Sequence, residues 1–114
     1  MEKRQAFYLY LDDIREIDPI YNQFKQYKHC HQVYEAKFFV QAAIFHLGIN
    51  EIWFDLDHDL GEFAPYGGDG IELVNWLVEE FHDKNVNFKF HFHSMNPVGV
   101  QNMRSAIEKY WEEF

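Results

Sequence analysis

At 114 residues, the chain has room for one domain with one hydrophobic core, spanning residues 1–114. Its 47% apolar content, with 12 Phe, 7 Tyr and 3 Trp, is too rich for a disordered segment. The formal net charge of −9 repels duplex DNA and anionic membranes, but a small phosphorylated ligand fits if a bound cation reverses the local sign.

The first predicted element is Ala6 to Leu11, a continuous apolar and aromatic run that ends in Asp12-Asp13. This is the profile of a strand buried on both faces whose carboxyl end opens on a polar site. Asp18-Pro19 pairs a capping carboxylate with proline at a first helical position and predicts a short helix over Ile20 to Tyr27. Gln32 to Tyr34 reads as a short strand, and Ala36 to Leu47 as a buried helix stopped by Gly48. Ile49 to Leu56 is the next strand; Glu51 and Asp55 are its only acidic interruptions, and it closes on Asp57-His58-Asp59.

Gly61, Pro65, Gly67 and Gly68 make the next segment a loop, and Asp69 with Glu72 has the spacing of a capping box for a helix to about Lys84. Phe88, Phe90 and Phe92 alternate with Lys89, His91 and His93, the period of a strand with one greasy and one polar face. As an edge strand, Val86 to Phe92 would leave hydrogen-bonding groups open to a second copy and so to a homodimer. Asn96 as cap and Pro97 at the first position predict a final helix with Met103, Ile107, Tyr110, Trp111 and Phe114 on one face. Strands alternating with helices imply a parallel, doubly wound α/β sheet with ligands at the carboxyl edge of its strands.

Cys30 is the single cysteine, which rules out an internal disulfide or a thiolate cluster and suits a reducing interior. Met1-Glu2-Lys3-Arg4 runs straight into a six-residue apolar stretch, too short for a signal segment, so the expected location is the cytoplasm. No apolar run approaches the roughly 20 residues that span a bilayer.

In a parallel sheet the ends of three strands share one edge, which brings Asp12, Asp13, Asp57, His58, Asp59, His93 and Ser94 together. Acidic residues also mark strand ends and helix caps, and for a single aspartate that is the ordinary explanation. Two clusters on neighbouring strands instead call for a cation among them, and hard oxygen ligands favour Mg2+, with Mn2+ or Ca2+ as substitutes. His58, flanked by two carboxylates, and His93, at the pocket edge, are candidates for moving protons. The amino end of the last helix at Asn96 and the guanidinium of Arg15 are candidates for holding a phosphate. His91 faces the same way as His93 but lies further from the edge, while His29, His31, His46 and His82 read as structural.

Three segments, Leu11-Asp12-Asp13-Ile14-Arg15, Leu56-Asp57-His58-Asp59-Leu60-Gly61 and His93-Ser94-Met95-Asn96-Pro97-Val98-Gly99, resemble the signature of the cyclic-phosphate-processing receiver domains, a divergent branch of the response-regulator receivers. The resemblance spans nearly the whole chain. It implies a flavodoxin-like sheet shortened to about four strands in the order 2-1-3-4, with a C-terminal helix. Asp12, Asp13 and Asp57 then resemble the receiver metal site, Asp57 the phosphoacceptor aspartate, and Ser94 the hydroxyl that contacts the phosphoryl group. Asp57, His58, Asp59 and His93 become the candidate catalytic set, with Arg15, Ser94 and Asn96 binding substrate. The implied activity is metal-dependent hydrolysis or transfer of a cyclic phosphate on an RNA end or a nucleotide. The alternatives are a non-catalytic phosphoacceptor and a module that binds a phosphate or nucleotide unchanged. The usual receiver lysine after a fifth strand has no counterpart, so a conventional two-component output is not carried over. Phe63 and Tyr66, in the loop from Glu62 to Asp69, are candidates for stacking on a nucleobase.

Overall fold

The computed structural model describes residues 2–114. Five parallel strands lie in the order β2-β1-β3-β4-β5: β1 is Arg4–Leu11, β2 Phe24–Cys30, β3 Glu51–Leu56, β4 Asn87–Phe92 and β5 Glu112–Glu113. The helices are α1 Val33–Gln41, α2 Gly70–Phe81 and α3 Pro97–Ile107. This is the receiver-like, flavodoxin-like arrangement, with five strands where the sequence led us to expect about four.

The winding reverses after β2, so the connection from β1 to β2 crosses one face of the sheet and the three helices cover the other. On the helical face Leu9, Leu11, Phe54, Leu56, Phe88 and Phe90 pack against Val33 and Val40 of α1, Leu73, Leu77 and Phe81 of α2, and Met103 and Ile107 of α3. On the opposite face Ala6, Tyr8, Tyr10 and Phe24 form a smaller cluster under Ile17, Ile20 and Tyr21. Both faces of β1 are thereby buried, as its unbroken apolar run requires.

Three expectations in the first half of the chain are corrected. Asp18 does cap, accepting from the Ile20 N–H at 2.9 Å with Pro19 behind it, but the chain then makes only one 3-10 stretch, Pro19–Gln23, before entering β2. The second strand is therefore Phe24–Cys30, and Gln32 is the residue before α1. β2 lies at an edge of the sheet and has solvent on much of its surface, so it carries Lys25, Gln26 and Lys28 and no apolar run that would betray it. Helix α1 begins earlier than the apolar stretch indicated, continues as a wider π turn over Ala42–His46, and stops before Gly48 at φ +68°.

The last helix ends at Ile107; the chain then turns back, and Glu112 and Glu113 pair with Lys89 and Phe90. β4 is consequently covered over those residues and is not the free edge. Trp111 lies half-buried against Phe88 and Phe90, while Phe114 passes to the other side of the sheet, its ring 4.7 Å from that of Trp53. Asp69 precedes α2 as expected but makes no capping box: its Oδ1 accepts from the Leu60 N–H at 3.0 Å and closes the loop after β3. Among the described residues no helix is long and apolar enough to cross a membrane.

Candidate functional site

The carboxyl ends of β1, β3 and β4 surround a cavity of about 340 Å³ lined by Asp12, Asp13, Ile14, Arg15, Asp57, Asp59, Gly61, Ser94 and Met95. It lies at the switch point where the winding reverses between β1 and β3, the ordinary ligand position in open parallel sheets. Of the residues singled out in the sequence, Asp12, Asp13, Asp57, Asp59, Arg15 and Ser94 line it. His58, His93 and Asn96 stand behind its wall.

Asp12 is 1% exposed and fully engaged. Its Oδ1 accepts from the backbone N–H groups of Ile14 at 2.8 Å and Arg15 at 2.7 Å, and its Oδ2 lies 2.8 Å from His93 Nε2. Burial alone would raise the Asp12 carboxyl, but these two N–H donors and the imidazole outweigh it and hold it below the usual carboxylate range. Asp57 goes the other way. Burial raises it and the charge of Asp12 adds to that, against the hydrogen bond from Ser94 and the 2.8 Å bond from its neighbouring His58 N–H. Carboxylate oxygens of Asp12, Asp13 and Asp57 all lie within 4.8 Å of one another.

Gly61 explains how Asp13 fits. It sits at φ +54°, a backbone that disfavours any side chain, and a Cβ there would come 2.6 Å from Asp13 Oδ2 and push that carboxylate aside. An all-oxygen set of this kind is one that could hold a hard divalent cation.

His93 bridges two buried carboxylates. Its Nδ1 lies 2.5 Å from Asp55 Oδ1 and its Nε2 2.8 Å from Asp12 Oδ2, and Tyr10 stacks on the ring at 4.7 Å and 3°. Each ring nitrogen lies within hydrogen-bond distance of a carboxylate oxygen, an arrangement that favours the doubly protonated, charged ring. Burial opposes that charge, but Asp55 and Asp12 overcome it and raise the ring's pKa above its ordinary value. Asp55, 3% exposed, also accepts from the Tyr8 hydroxyl at 2.8 Å. Tyr8 and Asp55 are residues that sequence reasoning missed. A carboxylate inside an otherwise buried strand was the available signal, since such a group requires partners.

His58 does not face the cavity. Its Nδ1 pairs with Asp59 Oδ1 at 2.8 Å, and its ring packs on the backbone of α3 so closely that a Cβ at Gly99 would meet Cγ at 2.5 Å. The hydrogen bond to His58 lowers the Asp59 carboxyl, with Asn96 adding to the effect. Asn96 has two duties: its Oδ1 caps α3 by accepting from the Gly99 N–H at 2.9 Å, and its Nδ2 is 3.3 Å from each oxygen of Asp59. Arg15 donates from Nη1 to the His93 carbonyl at 2.8 Å, tying the loop after β1 to the end of β4.

Among the histidines set aside in the sequence, His29 reaches the Asp12 carbonyl through Nε2 at 3.2 Å and stacks on His31 at 4.4 Å, next to Phe63. His91 is exposed beside Phe114. Tyr66 is half-exposed and is not part of the cavity lining.

No curated protein matches this chain. The family described as the cyclic-phosphate processing receiver domain matches residues 7–109, which include every strand-end residue of the cavity, and the chain belongs to that family.

Proposed function

We propose that this domain hydrolyses or transfers a cyclic phosphate in the cavity at the ends of β1, β3 and β4, with Mg2+ or Mn2+ held by Asp12, Asp13 and Asp57. The observation that carries the reading is the convergence of three carboxylates from two strand ends on one cavity, with Ser94 and Arg15 on its other sides. Carboxylates so close repel one another, and a divalent cation relieves that repulsion while polarising a bound phosphate.

The protein's own groups then have distinct tasks. Arg15, already fixed to the His93 carbonyl, presents its remaining N–H groups to a phosphate oxygen. Ser94, on the same cavity wall, offers its hydroxyl to the same phosphate. Asp57 accepts the proton from an attacking water. Water oxygen joins phosphorus, one ring P–O bond breaks, and the proton returns to the departing sugar oxygen. The product is a phosphomonoester. Asp59, paired with His58 and Asn96 and lining the same cavity, takes part in the proton's return. The substrate is a small phosphorylated ligand or an RNA end. The reducing cytoplasm is its natural setting, given one buried thiol whose pKa burial pushes up.

A second reading rests on Ser94 and Asp57 lining the same cavity, which is also what a phosphoacceptor needs: Asp57 would take up a phosphoryl group without turnover. Incubating the protein with Mg2+ or Mn2+ and a panel of 2′,3′-cyclic-phosphate-ended RNAs and cyclic nucleotides decides between them. Turnover that disappears in Asp57→Asn supports the enzyme; intact ligands throughout refute it.

A further inference from the structure

We propose that Ile14 and Met95 form a clamp for the base of a mononucleotide, and that the substrate is a nucleoside cyclic monophosphate rather than the end of an RNA chain. This rests on the cyclic-phosphate reading of the cavity and narrows it.

Ile14 and Met95 are 85% and 82% exposed, the two most exposed large apolar side chains among the described residues. Isolated apolar residues on a surface need no explanation. These two, however, line the same charged cavity, one in the loop after β1 and the other in the loop after β4. Neither is free to fold back into the core, because the backbone on each side is held by a site residue. The Ile14 N–H is bound to Asp12 Oδ1 at 2.8 Å, and the N–H of Asn96, next to Met95, is 3.1 Å from Ser94 Oγ. Arg15 joins the two loops through the His93 carbonyl at 2.8 Å. The cavity therefore combines four carboxylates with an exposed apolar pair on two tethered loops. A phosphate held at the carboxylates through a cation would leave the attached nucleoside to the apolar pair, where a flat group with two apolar faces can be covered.

Charge selects the size of the substrate. Four carboxylates line the cavity, Asp12, Asp13, Asp57 and Asp59, against the single guanidinium of Arg15. One divalent cation and Arg15 can serve one phosphodiester, and the exposed chain neighbours of the lining residues Arg15 and Gly61 are two further acidic side chains, Glu16 and Glu62. Every further phosphate of a polymer would meet a protein of net charge −9. The small cavity, near the lower end of small-molecule sites, points the same way.

The test compares three substrates in saturating Mn2+: adenosine 2′,3′-cyclic monophosphate, glycerol cyclic phosphate, which has no base, and a short oligoribonucleotide ending in a 2′,3′-cyclic phosphate. Both side chains are exposed, so the double variant Ile14→Ala, Met95→Ala keeps its core. The expected result is a preference in kcat/KM of about tenfold for the mononucleotide over the base-free compound, with the oligonucleotide worse than the mononucleotide. The double variant should erase that preference through KM rather than kcat. A preference for the oligonucleotide, or a base preference that survives the double substitution, overturns the clamp while the cyclic-phosphate reading stands. Turnover of none of the three overturns both.

Discussion

Replacing His93 with glutamine should move stability and metal affinity in opposite directions. In the wild type the ring donates to Asp12 at 2.8 Å and to Asp55 at 2.5 Å. Glutamine replaces at most one of these donors and removes the positive charge, leaving a buried carboxylate short of a partner. Breaking a buried pair in this way costs about 3–5 kcal/mol, and a retained amide donor brings the expected loss down to roughly 2–4 kcal/mol. Metal affinity should rise, because a cation bound to Asp12 competes with the imidazolium for the same Oδ2. A charge-assisted hydrogen bond has a net value of about 1.5–3 kcal/mol, so its removal should tighten Mn2+ binding by roughly tenfold to a hundredfold. Urea unfolding gives the first number, and the free-Mn2+ signal in electron paramagnetic resonance titrations at neutral pH gives the second. Reduced stability with unchanged or weaker Mn2+ binding would refute the competition and leave His93 as a fold-stabilising group alone.

The same pair sets a pH window. The His93 pKa is raised on folding, so its contribution is complete below the unfolded value of about 6.5 and is lost as pH rises through the higher folded value; the loss should vanish in His93→Gln. The Asp12 pKa is lowered, so its contribution is present above the unfolded value and is lost as pH falls through the folded one, and urea midpoints across pH would show both limbs. Gly61→Ala should cost about 1–2 kcal/mol from its left-handed backbone and weaken Mn2+ binding, since the new Cβ displaces Asp13; unaltered affinity would remove Asp13 from the metal set. Tyr8→Phe should destabilise by about 1–3 kcal/mol by depriving Asp55 of its hydroxyl donor, which thermal unfolding would measure.

The elements legible in the sequence were those whose burial writes a period. β1 is apolar throughout because both faces are covered, β4 alternates because one face is, and α2 carries the stripe Leu73, Leu77, Phe81. β2 was not legible, because at a sheet edge its polar residues satisfy the strand as well as apolar ones would. β5 was hidden for a related reason: two glutamates paired to β4 have no hydrophobic signature, and the apolar residues around them continue the stripe of α3. At the site, position along the strands was enough to bring the acidic residues to one edge. Direction was not. His58 pairs with its neighbour Asp59 and packs on α3, while Asn96 turns toward Asp59 and His93 turns back toward Asp55, partners 37 and 38 residues away in sequence.

The central position of β1 has a consequence for synthesis. Arg4–Leu11 emerges first, yet its partners on either side, Phe24–Cys30 and Glu51–Leu56, are made later. Until residue 56 has left the ribosome, a run of Ala, Phe, Tyr and Leu retains an unpaired edge. In a crowded polysome such runs find one another, so the yield of soluble protein should depend on how fast translation proceeds from β1 to β3 and on whether a chaperone covers the segment meanwhile. The sheet that organises the cavity is thus completed late, and its most adhesive strand is the one that waits.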